Sequence, residues 1–276
     1  MTDGHSAGDP RLVGLVQLWK QACDDFVALV RSLPEEQGDL PTDLAGWSVR
    51  DNVAHTAHLE AVLAGAPEET IEVAEAPHLV GLQNYYTEQG VLARRGRTLA
   101  ELADELEGAV ATRHALLLTD PPTDGDAVPA ITPGGIGWSY LTLLTNRPLD
   151  VWMHDQDVRR AVDRPGGYDS PVTEHVLGLF GRALPMVWGK RVGAPVGATL
   201  RLVLADAPGW EHTFRIGDDG RAVRDHAAAP TTQVTLTAED YVVLSGGRRG
   251  PEATAAQVDG DEDLGRRLLS SLAVTP

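Results

Sequence analysis

The chain has 276 residues, room for two modest domains or one large one. It carries 23 Lys+Arg against 40 Asp+Glu, a formal net charge of −17, which argues against sequence-independent binding to nucleic acid and against a polybasic membrane anchor, since both need a basic face. The composition is that of a globular protein, 42% hydrophobic and 23% charged, and the single cysteine, Cys23, allows no internal disulfide. The first residues, MTDGHSAGDPR, lack the apolar core of a signal peptide. No run approaches the roughly 18 apolar residues of a membrane span, so a cytoplasmic location is expected.

Leu12, Leu15, Val16, Trp19, Cys23, Phe26, Val27 and Val30 recur at three- and four-residue steps and predict a helix over 12–30. Cys23 lies on its apolar stripe and reads as a small buried hydrophobe. After a loop with Pro34, Gly38, Pro41 and Gly46, the segment GWSVRDNVAHTAHLEAVLAG predicts a helix over 47–65, capped by Ser48 with Asp51 in the first turn. A poorly patterned helix is expected over 77–95, and Thr98 with Glu101 forms a capping box for a helix to about Leu118. Residues 119–137, with Pro121, Pro122, Pro129 and Pro133, form a long loop. A helix follows from about Trp138 to Asp163, which Pro148 is expected to kink or split.

Ser170 before Pro171 opens one more helix, to about Arg191. Strand-like runs come next at 197–205, 210–216 and 233–237, clearest where Leu200, Leu202 and Leu204 alternate. A helix at 238–246, a strand at 254–259 and a helix at 261–272 end the chain. The expected architecture is α+β: a helical domain over 1–168 and a small α/β domain over 169–276.

Histidines and carboxylates cluster in two helices. At 100° per residue, Asp51, His55, His58 and Val62 fall in one stripe, and Asp150, His154, Asp157 and Ala161 in another. Two bundle helices presenting inward imidazoles and a carboxylate make a metal site, with His55, Asp150 and His154 as ligands and one position open for water or substrate. Two imidazoles favour a metal such as zinc over calcium. Asp51 and Asp157 would steady the free ring nitrogens. The same residues also admit a simpler reading: solvated ion pairs, with His58 on the surface beside Glu60 and Asp51 explained by its place in the first helical turn.

GWSVRDNVAHTAHLE resembles the G-W-[ST]-V-x-D-x-x-A-H signature of the mycothiol-dependent maleylpyruvate isomerase family, relatives of the DinB-like metal-binding four-helix bundles. LDVWMHDQDVRRAVDRPGG is similar to its second signature, and GDEDLGRRLLSSLAVTP to its terminal segment, in a domain related to sterol-carrier folds. The resemblance implies metal ligands at His55 and His154, and it places Asp150 where the family has a glutamate. It also implies a divalent metal and mycothiol as cosubstrate, activated for addition to a small electrophile by cis–trans isomerisation or S-transfer. A non-catalytic ligand-binding module and a metal-dependent hydrolase on the same bundle remain open beside it.

An anionic substrate in a chain at −17 needs a local cation. Gly246-Gly-Arg-Arg-Gly250 supplies Arg248, the candidate catalytic contact, and Arg249, the candidate for binding the thiol cosubstrate; Asp157 is the second catalytic candidate, acting beside His154. Arg94, Arg95 and Arg97 read as an exposed helix end, and Arg159 and Arg160 as partners for Asp155, Asp157 or Asp163. Trp138, Trp152 and Trp188 read as core.

Overall fold

A computed structural model describes residues 8–275, and these divide into two compact units, the first running to Thr173 and the second beginning at Glu174. In the first unit, helix α1 (Pro10–Arg31) begins at Asp9, whose carboxylate accepts from Arg11 N, with Pro10 pre-shaped for the first turn. Its stripe of Leu12, Val16, Trp19, Cys23, Phe26 and Val30 is buried, as the spacing predicts. Helix α2 (Val49–Leu63), α3 (Leu82–Leu92), α4 (Leu99–Thr119) and α5 (Tyr140–Ala161) follow. Helices α1, α5, α2 and α4 pack in a closed ring, each against the next, and α3 lies against α2. That ring is the four-helix bundle, and its axis is where inward side chains meet.

Pro148 neither splits nor ends α5, which runs unbroken through it. A proline has no N–H to give the preceding turn, but the buried neighbours Leu144, Arg147, Val151 and Trp152 hold the helix together by packing. The expected long loop is present. It is fastened to α1 where Gly125 N donates to the buried Asp9 carboxylate at 2.8 Å. Helix α3 is shorter than expected, because residues 64–81 carry no regular structure.

In the second unit, α6 (Pro171–Met186, entered from the end of the first unit) passes into a π turn at Val187–Arg191. Five strands form one sheet in the order β3-β2-β1-β4-β5: β1 (Thr199–Leu204), β2 (Glu211–Ile216), β3 (Ala222–Arg224), β4 (Thr232–Leu236) and β5 (Gln257–Gly260). β1 and β4 pair in parallel, with Leu202 opposite Val234, and the other pairs are antiparallel. The sheet's inner face is Leu200, Leu202, Leu204, Phe214, Ile216, Val234 and Leu236, all buried. Helix α7 (Ala238–Ser245) packs on β4, and α8 (Glu262–Leu269) on β4 and β5. Strand β3 has no counterpart among the expected elements: three residues at a sheet edge are too few to show alternation.

Candidate metal centre

Helix α2 is the unusual element. From Asp51 to Val62 every residue is buried, including Asp51, Asn52, His55, Thr56, His58 and Glu60. The middle of α5 is alike, with Arg147, His154, Asp155, Gln156 and Asp157 buried. Burying polar groups costs free energy unless each finds a partner, so two such helices side by side must build a polar network between them.

The network starts at the α2 cap. Ser48 Oγ accepts from Asp51 N, and the Asp51 carboxylate accepts from Ser48 N and Oγ, a full capping box. The box fixes where α2 begins and hence which residues face α5. His55 and His154 then stand edge to face, ring centres 4.7 Å apart. Asp150 lies between them: its Oδ2 is 3.7 Å from His55 Nε2 and its Oδ1 3.8 Å from His154 Nε2. One ligand atom from each of the three lies within 4.8 Å of the others.

The donor chemistry of this triad fits a cation. Asn52 Nδ2 donates to Thr42 Oγ1 and Ser48 O, which turns Asn52 Oδ1 to His154 Nδ1 at 2.8 Å. That oxygen can only accept, so His154 Nδ1 carries a hydrogen, and Nε2 is the nitrogen turned toward the Asp150 carboxylate. Ligand atoms around a tetrahedral zinc at about 2.0–2.2 Å are roughly 3.3–3.6 Å apart, so the three atoms, within 4.8 Å of one another, are more widely spaced than a closed site and would draw in on an ion. The Asp150 carboxyl is held well below the usual carboxylate range: burial works against ionisation, and the Arg147 guanidinium and the two imidazoles outweigh it.

Trp47 covers both rings, 5.0 Å from His55 and 6.0 Å from His154. Its Nε1 donates to the buried Glu88 on α3 at 2.8 Å, and Glu88 in turn meets Arg95, which reaches Asp51. The wall over the two imidazoles is therefore set by α3, through one carboxylate.

Two family models match the chain: the mycothiol maleylpyruvate isomerase N-terminal domain over residues 19–159 and the corresponding C-terminal domain over 175–267. The chain belongs to the mycothiol maleylpyruvate isomerase family. Its fold is similar to the crystal structure of the mycothiol-dependent maleylpyruvate isomerase, at 18% identity and a TM-score of 0.55 over 89% of this chain and 92% of that one. A histidine-to-alanine mutant of that isomerase matches at 16% identity, with the same TM-score and coverage. Nothing among curated protein sequences matches.

Within this family member, the three expected ligands converge. The expected supports differ. Asp51 is consumed by the helix cap and by Arg95, and His55 Nδ1 has no hydrogen-bond partner among the described residues. Asp157 Oδ2 stands 3.6 Å from His154 Nδ1, beyond hydrogen-bond reach, while Asp157 pairs with Arg160, which pairs with Asp43. The hydrogen bond of His154 Nδ1 is made to Asn52. Arg248 and Arg249 follow α7 in the second unit; Arg248 Nη1 donates to Gly246 O at 2.7 Å, and Arg249 is exposed. His58 is fully buried, contrary to its reading as a surface residue. Arg94 is buried between Glu105 and Glu69 rather than at an exposed helix end, whereas Arg95 and Arg97 keep about half their surface. Asn52, Trp47, Glu60 and Arg147 were not singled out. The available signal was the density of polar residues on α2 and α5, too high for helices at a bundle's centre unless they pair.

Proposed function

We propose that this family member is a divalent-metal, mycothiol-dependent enzyme that activates a low-molecular-weight thiol for addition to a small electrophile, by cis–trans isomerisation or S-transfer. The observation that carries the reading is the convergence of His55, Asp150 and His154 on one point between α2 and α5. These three residues would hold the ion, with zinc the first choice for two imidazoles and a carboxylate. Such an ion supplies positive charge that favours the thiolate form of a thiol near neutral pH.

The chain's own residues fit the remaining roles. Cys23 is buried, and burial pushes its thiol well above the ordinary cysteine range, so the nucleophilic sulfur must come from outside. Asn52 fixes the His154 ring and leaves Nε2 as the ligand atom. Asp157, whose Oδ2 lies 3.6 Å from His154 Nδ1, is the second catalytic candidate in this reading. We assign to Arg248 the contact with an anionic group of the substrate and to Arg249 the binding of the thiol cosubstrate, on the chemistry of a cationic turn in an acidic chain. The catalytic domain in this reading is residues 1–168, and residues 169–276 form the second domain.

In the isomerisation, the thiolate sulfur bonds to one alkene carbon, the π pair moves onto the conjugated carbonyl, the resulting single bond rotates, and expulsion of the thiolate restores the alkene. Two measurements test the reading. Zinc-supplemented wild type should carry one metal per chain and His55→Ala/His154→Ala none. Absorbance of maleylpyruvate, or of another conjugated electrophile, should fall only with mycothiol present. A wild type without metal overturns the proposal, and turnover without any thiol replaces it with hydrolysis.

A further inference from the structure

From the partly exposed Asp150 a chain of charges runs into the buried interior. Arg113 lies over the Trp19 ring, 4.6 Å from its centre, and its Nη1 donates to Glu60 Oε2 at 3.0 Å. Glu60 Oε1 accepts from Arg147 Nε at 2.9 Å, with Arg147 Nη2 2.8 Å away. Arg147 Nη1 then donates to Asp150 Oδ2 at 2.8 Å. Glu60 has no exposed side-chain surface and Arg147 only 3%. Two positive and two negative groups balance, so the chain is neutral as a whole.

A buried ion pair is poor value as a stabiliser, because the desolvation of its charges offsets most of their attraction, and apolar side chains of the same volume commonly serve as well. The arrangement instead specifies position. Arg147 and Asp150 are three residues apart on one face of α5, so the side chains meet. The guanidinium is planar: its Nε donates to Glu60 and its Nη1 to Asp150, so the two donor directions are fixed relative to each other. An aspartate turns about only two side-chain bonds, and one short hydrogen bond to an immobile donor removes that freedom. The cation also has a cost for a metal ligand, since its charge competes with a divalent ion for the same carboxylate. Its presence is understandable if orientation matters more than that loss.

We propose that Arg147, seated by Glu60, is a positioning residue that presents the Asp150 carboxylate to a divalent cation together with His55 and His154. This rests on the metal reading above. Arg147→Lys is the discriminating variant, because it keeps the charge and loses the rigid planar fork that fixes the directions of the donors to Glu60 and Asp150. Zinc affinity, measured by chelator competition on protein with native circular dichroism, should fall about 10- to 100-fold, the usual effect of removing a partner that orients a ligand. The cobalt(II) form should show an altered d–d spectrum. Glu60→Gln, which unseats Arg147 while keeping its shape, should weaken zinc in the same direction and serves if Arg147→Lys does not fold. Wild-type zinc affinity in either folded variant overturns the positioning role while leaving the metal site standing. A wild type that takes up no zinc overturns both.

Discussion

His58 shows what burial does to a single residue. It stands one turn beyond His55 on α2 and is buried beneath α3. Its Nδ1 faces the Arg94 guanidinium, its ring lies 5.9 Å from that of Tyr86, and Glu68 is 3.9 Å from its Nε2, with Glu69 beyond on Arg94. Burial first, then the Arg94 and His55 charges, push its pKa from 6.5 down to about 4. The unfolded chain therefore binds this proton more readily than the fold does. The contribution of His58 to stability is complete above pH 6.5 and is lost as the pH falls toward 4, about 3 kcal/mol in full. Asp155 works the other way: burial pushes its carboxyl up to about 6, so its contribution grows as the pH falls below that value. Urea unfolding of wild type and His58→Gln at pH 7 and pH 5 separates the two. Stability should fall more steeply with acid in wild type, and parallel profiles would remove the assignment.

At the scale of elements, α2 is placed by its ends and its neighbours. Ser48→Ala removes the side-chain half of the capping box and should cost about 1 kcal/mol in urea unfolding. Gly90 in α3 is the sharper case. Intrinsic propensity favours alanine over glycine inside a helix by about 1 kcal/mol, so sequence reasoning predicts that Gly90→Ala stabilises. In the fold a Cβ at position 90 would lie 2.2 Å from the His58 ring. Gly90→Ala should instead destabilise by about 1–3 kcal/mol, as overpacking does, with the urea midpoint as the measure. Most elements were legible: the apolar stripe of α1, the capping boxes of α2 and α4 and the alternation of β1 are local signals. Strand β3 and the course of α5 through Pro148 were not, since pairing with β2 makes the first and tertiary packing holds the second.

For the whole molecule, all three candidate ligands belong to the first unit. A ligand that binds only the folded state stabilises it by RT ln(1 + [L]/Kd), about 2.7 kcal/mol at a hundredfold excess over Kd. Calorimetry with zinc should therefore raise the transition that unfolds the bundle and leave it unmoved in His55→Ala/His154→Ala. No helix among the described residues is long and apolar enough to cross a membrane.

The sequence by itself determined the two-part α+β architecture, the helix caps and the stripe spacing that puts His55 on one helix and Asp150 with His154 on another. These depend on periodicities of 3.6 and 2 residues and on side chains that hydrogen-bond their own backbone, all short-range along the chain. Only the tertiary structure decided what surrounds the triad. Asn52 and His154 are 102 residues apart in the chain, and Glu60 and Arg147 are 87 apart. No local pattern encodes such pairs. They arise when the bundle brings α2 against α5, and their buried polar groups must then satisfy one another.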